Sequence, residues 1–296
     1  MTLTAERRLL LVHAHPDDET IGTGVTMARY ADEGAHVCLV TCTLGEEGEI
    51  VVDDLETLRS NGENKLGDHR VGELAAACEL LGVTDHRWLG GEGRWRDSGM
   101  MGEPTNDEPT CFWQADLDVA AGELVRVIRE VRPQVVVTYD EEGAYGHPDH
   151  IQAHRVTVAA VEAAGDAARY PDAGPPWTPA KLYYTAIPKS VLAEGFEYFK
   201  ATGDSFFADV ESPEGMPFGV DDAVVTTCVA APELTDRKMA AMHAHRSQIA
   251  AGSLFFALPP DIERTAWGHE YYILVRGERG PAGRPDGREA DLFAGL

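Results

Sequence analysis

The stretch LLLVHAHPDDETIGTG, residues 9–24, begins with a short apolar run and continues into two histidines, a proline and three consecutive acids. A continuous Leu/Val run is typical of a strand that is buried on both faces of a parallel sheet. Carboxylates buried beside such a strand cost several kcal/mol unless they have partners. The stretch therefore predicts a buried strand whose end carries a group that neutralises the acids.

The first half of the chain alternates strand-like and helix-like segments, which is the pattern of βαβ units in a parallel sheet. The apolar spacing predicts strands at residues 9–13, 37–41, 87–89 and 135–139. It predicts helices at residues 21–32, 71–81, 117–131 and 149–164. The expected fold class is α/β: a Rossmann-like, mostly parallel sheet with helices on both faces.

The second half begins with RYPDAGPPWTPAK, which is rich in Pro and Gly and predicts a long connection. Strands are expected at residues 182–187, 223–230 and 270–277, and a helix at residues 234–248. We therefore expect a Rossmann-like metal-binding catalytic domain over residues 1–170. Residues 171–296 would form a smaller C-terminal α+β subdomain that completes the substrate pocket, with a tail that is mobile until its final apolar residues.

The charge composition limits the classes of partner. Fifty acids against 25 bases give a formal net charge of −25, which repels nucleic acid and anionic membranes. No apolar run has the length of a membrane span. Five cysteines without close pairing indicate a reducing compartment, so we expect a cytoplasmic protein with a small-molecule partner. The sequence says nothing about the oligomeric state.

Two clusters of acids and histidines follow predicted strands, HAHPDDE after the first and EEGAYGHPDHIQAH after the fourth. Ligand sites in open α/β sheets lie at the carboxyl ends of the strands. His15 and Asp18 can converge on one ion, and His150 can complete a His/Asp/His set. Such a set suits zinc and iron(II) alike, with one ion per chain. Asp17 would then be free to act as a general base.

Two further histidines lie close to these clusters. His13 could be a fourth ligand, but we favour a buried, hydrogen-bonded side chain. His154 lies one helical turn beyond His150, at the spacing of paired zinc ligands, and we favour an ordinary helix-face position.

The pairing of HPDDE with a downstream GHPDH resembles the metal-dependent N-acetylglucosaminyl deacetylases of the LmbE-like, GlcNAc-phosphatidylinositol deacetylase superfamily. CTLGEEGEI, GRWRDSGM and TYDEEGAYGHPDH are similar to its actinobacterial branch, which serves mycothiol synthesis. The resemblance runs over most of the chain and is strongest over residues 9–154. It implies a zinc-dependent hydrolase that removes acetate from N-acetylglucosaminyl-inositol.

The resemblance also implies a role for individual residues. The implied zinc ligands are His15, Asp18 and His150, and the implied general base is Asp17. Tyr145 is the implied oxyanion partner, and His147 is the implied acid for the departing amine, oriented by Asp149. Arg70 and Asp97 are implied to contact the sugar and inositol hydroxyls, and Glu49 is implied to line the pocket.

Two other functions remain open at this point. One is a sister amidase that cleaves mycothiol conjugates, against which GRWRDSGM argues. The other is a metal-dependent sugar-binding protein without turnover. The sequence does not assign a role to His243, His245 or Gln248, for which a surface or interdomain position is at least as reasonable as a position in the pocket.

Overall fold

The computed structural model describes residues 6–59, 64–202 and 219–296. Its strands are β1 (Arg8–His13), β2 (His36–Thr41), β3 (Asp85–Trp88), β4 (Val135–Thr138), β5 (Lys181–Ala186), β6 (Thr227–Ala230) and β7 (His269–Arg276). They form one sheet in the order β3-β2-β1-β4-β5-β7-β6. Strands β1 to β5 are parallel, and β7 is antiparallel to both of its neighbours. The predicted α/β class with a mostly parallel sheet is confirmed.

Seven helices of eight residues or more accompany the sheet in the described ranges: α1 (Asp18–Asp32), α2 (Lys65–Leu81), α3 (Leu117–Val131), α4 (Pro148–Ala164), α5 (Lys189–Thr202), α6 (Thr235–Ala244) and α7 (Pro260–Trp267). The sequence did not predict α5 or α7. Helix α2 begins six residues before the predicted start, since Leu66 and Gly67 are already buried in its first turn. Strand β6 is shorter than predicted, because residues 222–224 form a 3-10 turn.

The core has two sides because alternate residues of each strand face opposite ways. Leu10 and Val12 of β1 pack with the apolar faces of α3 and α4. Leu9 and Leu11 pack on the other side with α1, α2 and α6. Strand β1 therefore lies between two layers of helices, as its uninterrupted apolar run predicts.

The strands that follow β1 in the sequence are added first on one side of it and then on the other. Strands β2 and β3 lie on one side of β1, whereas β4 and β5 lie on the other. Such a reversal of strand order opens a crevice at the carboxyl ends of the two central strands. The segments that follow β1 and β4 both enter this crevice, which brings the two acid-and-histidine clusters together.

The C-terminal half continues the same sheet, with β5, β7 and β6 added beside β4. The division of the chain at residue 170 stays a prediction. Glu289, in a tail expected to be mobile, is instead buried: it binds Lys181 Nζ at 2.9 Å and Thr227 Oγ1 at 2.7 Å. Leu292 and Phe293 then pack into the core beside α1.

Two further expectations can be compared with the structure. All five cysteines are buried, and none is in a disulfide. The thiols of Cys38 and Cys42 pack in the core beside β2, as predicted. Within the described ranges, no helix combines the length and apolar character needed to cross a membrane.

The predicted connection between α4 and β5 is organised by the buried Arg129 of α3. Its guanidinium donates to six backbone carbonyls in residues 163–174, among them those of Ala164, at 3.0 Å, and Tyr170, at 2.7 Å. It thereby caps the carboxyl end of α4 and holds the following loop. Spacing alone does not identify such a residue, since arginine on a helix is usually exposed.

We expect Arg129→Met to lower the free energy of unfolding by about 3 kcal/mol, because several buried carbonyls lose a charged donor. Urea unfolding followed by circular dichroism measures the change. Arg126→Met is the matched control, since Arg126 is exposed and donates to the single carbonyl of Asp172. Equal stabilities of the two variants would contradict the role of Arg129.

Candidate metal centre and active site

The crevice between β1 and β4 gathers the residues predicted for a metal site. Asp18 lies between two imidazoles: Oδ2 is 3.2 Å from His15 Nδ1, and Oδ1 is 3.3 Å from His150 Nε2. Two ligands of one tetrahedral zinc ion at 2.0–2.1 Å lie about 3.3 Å apart. Each imidazole thus lies at a ligand–ligand distance from a different oxygen of Asp18, so the structure brings the three predicted ligands together.

His150 provides an independent test of that fit. The side chain is buried, and neither ring nitrogen forms a hydrogen bond of good geometry among the residues that the structure describes, although Nε2 lies 3.3 Å from Asp18 Oδ1. Buried imidazole nitrogens normally have partners, so an orphaned pair needs an explanation. A metal ligand at Nε2 supplies one, and the ring is held in place by stacking on Tyr139, with centroids 4.2 Å apart.

The electrostatic environment of His15 also favours a cation. Burial alone would lower the pKa of His15, but the carboxylates of Asp97, Asp149 and Asp18 raise it well above the usual value. Asp97 Oδ1 lies 3.5 Å from the ring nitrogen Nε2. Positive charge is therefore stabilised where the predicted ligands converge.

Asp149 has contacts to two of the histidines. Its carboxylate faces the other side of His15, with Oδ2 3.2 Å from Nε2, and accepts bonds from Ser98 N and Oγ, whereas its backbone N–H contacts His147. This leaves Nδ1 of His15 directed at Asp18. A carboxylate behind a metal-binding imidazole is a common arrangement that fixes the ring and its tautomer.

His147 is oriented by a backbone group. The N–H of Asp149 donates to His147 Nδ1 at 3.1 Å, so a neutral ring carries its hydrogen on Nε2. Burial, together with the neighbouring His15 and His150, lowers the pKa of His147 to about 3. Nitrogens of His15, His147 and His150 lie within 4.8 Å of one another, so geometry alone also offers His147 as a ligand.

Asp17 has the properties expected of a general base. Burial raises its pKa to about 6, an effect that the nearby Arg70 partly offsets, with Nη2 and Oδ2 3.3 Å apart. A carboxyl with a pKa near neutrality can exchange protons under ordinary conditions. The residue has φ of 116°, a conformation that costs about 1–3 kcal/mol outside glycine and persists where neighbours enforce it.

The two residues expected to contact the sugar and the inositol are both buried. Arg70 donates to the carbonyls of Pro16 and Gly45, and a side chain at Gly45 would collide with its guanidinium. Asp97 accepts bonds from the N–H groups of Glu47 and Gly99, at 3.2 and 2.9 Å. Arg70 and Asp97 thus have structural partners, and their contacts to substrate stay predictions.

Tyr145 and Glu49 lie at the outer part of the site. Tyr145 is 44% exposed, and its ring lies 5.0 Å from that of His150 and 6.1 Å from that of His147. The structure therefore brings it beside the predicted acid and one ligand. Glu49 is exposed, and no hydrogen bond of its side chain is seen within the described ranges.

His13 and His154, the two other histidines close to the clusters, make different contacts. His13 is buried and bonded to Tyr139 Oη at 3.2 Å and Thr23 Oγ1 at 2.9 Å, which confirms the hydrogen-bonded alternative. His154 lies on α4, bonds the carbonyl of Tyr139 and packs on the ring of Tyr184.

The three residues near the end of α6 to which the sequence assigned no role lie in different environments. His243 is exposed and stacks on Phe256, whereas His245 is fully buried against Glu19. Gln248 is half-buried and donates to Ser247 Oγ.

Sequence reasoning missed two residues at the site. Tyr139 contacts His13 and the N–H of Ala14, and it stacks on His150, although the sequence shows it as an ordinary strand-end aromatic. Glu19 is the third acid of HPDDE and binds the Asp17 N–H. The signal for Glu19 was its position in the motif, but spacing does not reveal its distant partner.

Comparison with known proteins identifies the relatives of this chain. The model of the family described as GlcNAc-PI de-N-acetylase matches residues 10–161, which contain both clusters. The chain belongs to this family. A 1D-myo-inositol 2-acetamido-2-deoxy-alpha-D-glucopyranoside deacetylase of Thermomonospora curvata is 58% identical over 293 residues, 98% of this chain and 97% of the relative.

Solved structures with this fold have more than one activity. The chain is similar to the N,N'-diacetylchitobiose deacetylase of Pyrococcus horikoshii, with a TM-score of 0.62, 18% identity and coverage of 92% and 85% of the two chains. It is also similar to a 4-carboxy-2-hydroxymuconate hydratase of Pseudomonas putida, with a TM-score of 0.58, 18% identity and coverage of 92% and 97%. The fold of the GlcNAc-PI de-N-acetylase family therefore does not by itself determine the reaction.

We expect the purified protein to contain close to one divalent metal ion per chain, and His150→Ala or Asp18→Ala to lose most of it, since each removes one ligand. Inductively coupled plasma mass spectrometry measures the content. His154→Ala is the control one helical turn further along α4, and it should retain the ion. Full retention in both His15→Ala and His150→Ala would contradict the ligand assignment.

Proposed function

We propose that this protein is a zinc-dependent deacetylase that hydrolyses 1D-myo-inositol 2-acetamido-2-deoxy-alpha-D-glucopyranoside to acetate and the free amine, a step of mycothiol synthesis. The observation that carries the proposal is the 58% identity with a deacetylase of that name over almost the full length of both chains. Similarity at this level covers the residues outside the metal site as well, and these residues govern substrate choice.

The donor set supports zinc as the ion. His15, Asp18 and His150 offer two nitrogens and a carboxylate, the mixture used in catalytic zinc sites that keep a position open. When bound there, a zinc ion supplies Lewis acidity towards the acetamide carbonyl and lowers the pKa of water. Iron(II) also accepts this donor set, so metal reconstitution of the purified protein has to distinguish the two.

The proton transfers are assigned to side chains around the crevice. Asp17 removes a proton from the water that attacks the acetamide carbon, and its pKa of about 6 suits that task. Tyr145 donates a hydrogen bond to the oxyanion that develops on the carbonyl oxygen. His147 is the proposed proton donor to the departing nitrogen; its ring is neutral in this structure because the N–H of Asp149 occupies Nδ1 and burial lowers its pKa to about 3, so the proton it delivers is the one that Asp17 has taken from the water.

The substrate contacts extend from the same crevice. We assign the hydroxyls of the sugar and inositol to Arg70 and Asp97, with Glu49 at the exposed edge. Arg70 and Asp97 are held by backbone groups, which limits their freedom and favours one orientation of the bound sugar. Asp97 lies in the loop at residues 94–100, and its contact with His15 places this loop beside the predicted metal site.

We expect the purified enzyme to release free amine from the inositol pseudodisaccharide much faster than from a mycothiol S-conjugate. The amine is measured by fluorescence after derivatisation. A preference for the conjugate would favour the amidase alternative. Binding of the pseudodisaccharide without any amine release would favour a sugar-binding protein, and either result would reject the proposal.

Asp17→Asn should lower turnover by about 10²–10⁴-fold, because the amide keeps the shape of the side chain but does not accept the proton. Metal content, measured in parallel, should be unchanged, since Asp17 is not a proposed ligand. Near wild-type turnover in this variant would show that another group is the base. Loss of the metal would show that Asp17 contributes to the ion site.

A further inference from the structure

The peptide bond between Pro16 and Asp17 is held at both ends by charged side chains. Its carbonyl oxygen accepts a hydrogen bond from Arg70 Nη2, and its N–H donates to Glu19 Oε2 at 2.8 Å. Asp17 has φ of 116°, a conformation that an L-residue rarely adopts. The two bonds fix the plane of this peptide and thereby the direction in which the Asp17 carboxylate leaves the backbone.

Glu19 is in turn held by a residue from the other half of the chain. His245 Nε2 binds the second oxygen, Oε1, at 2.8 Å, and the hydroxyl of Thr20 contacts the same oxygen. Glu19 and His245 are both 0% exposed. His245 follows the end of α6, so packing of this helix against α1 places the imidazole beneath the turn that carries Asp17.

A second buried pair, Glu270 of β7 and Lys238 of α6, contacts the backbone of α1 further along the helix. Glu270 binds Lys238 Nζ at 2.7 Å and accepts the N–H groups of Val25 and Thr26, beyond the irregular turn of α1 at Thr23. Both pairs therefore join a carboxylate, a cationic group from α6 or its end, and backbone N–H groups of the same segment. Of the two carboxylates, Glu19 is the one that binds the Asp17 peptide.

We infer that Glu19 and His245 are positioning residues that set the orientation of the Asp17 carboxylate at the reacting centre. The pair forms a brace: Glu19 holds the Asp17 N–H, and His245 holds Glu19 in the rotamer that reaches it. The inference rests on the proposed function, since it takes Asp17 as the base. It assigns a use to His245, which neither binds the proposed ion nor lines the crevice.

The first test is kinetic. Glu19→Ala should lower kcat by about 10²-fold, the loss typical of a misplaced catalytic group, with KM and metal content little changed. His245→Ala should act in the same direction. Glu19→Gln keeps an oxygen for the Asp17 N–H and should recover most of the loss. The inference would be overturned if the metal content fell by the same factor as kcat. It would also be overturned if KM fell by the same factor as kcat, which would leave kcat/KM unchanged.

A double-mutant cycle separates positioning from general damage. If Glu19 acts through Asp17, Glu19→Ala should cause no further loss of kcat in the Asp17→Asn background. The matched control is Glu270→Ala, which breaks the other buried pair that contacts α1 and should lower the melting temperature but leave kcat near wild type. Full additivity of the two losses, or an equal loss of kcat in Glu270→Ala, would overturn the inference.

A second readout does not depend on the substrate. In protein labelled with ¹⁵N-aspartate, the Asp17 amide resonance is the one absent from Asp17→Asn. It should shift in Glu19→Ala and His245→Ala and stay in place in Glu270→Ala, because only the first two alter its hydrogen bond. An unshifted resonance would overturn the brace. If wild-type protein releases no amine, the proposed function fails while this measurement still tests the brace.

Discussion

The structure depends on the cost of collecting negative charge in a largely buried crevice. Five carboxylates meet there, of which three are fully buried and two are half-buried: Asp17, Asp18, Glu19, Asp97 and Asp149. Two have cationic partners in the chain, Arg70 for Asp17 and His245 for Glu19. The others face imidazoles and backbone N–H groups, and the raised pKa of His15 shows that they favour positive charge between them.

The sheet makes this concentration of charge possible. Strand β1 is apolar on both sides, and the helices that cover it exclude water from the strand while leaving its carboxyl end open. The polar loops therefore meet at the rim of a rigid core, where packing restricts their rotamers. Catalytic groups placed on rigid elements in this way need little reorganisation when a substrate binds.

The sequence predicts those features of the arrangement that depend on short, continuous stretches of residues. The apolar run of β1, the strand before Tyr139 and the two motifs give the sheet, the crevice and the grouping of His15, Asp18 and His150. The donor that a particular carboxylate binds is not local, which is why the sequence did not reveal the contact between the Asp149 carboxylate and His15. Helix α5 was missed for a different reason, since the glycine and the aromatic residues of KSVLAEGFEYFKAT have low helix propensity and weaken its helical pattern.

The distance along the chain between Glu19 and His245 has a consequence for biosynthesis. The acid-rich turn after β1 leaves the ribosome 226 residues before its imidazole partner, which is a delay of roughly 10–45 s at 5–20 residues per second. The core is completed later still, when Leu292 and Phe293 arrive. Until His245 has been made, Glu19 lacks its imidazole partner, so the contact that holds the turn before α1 forms late in synthesis.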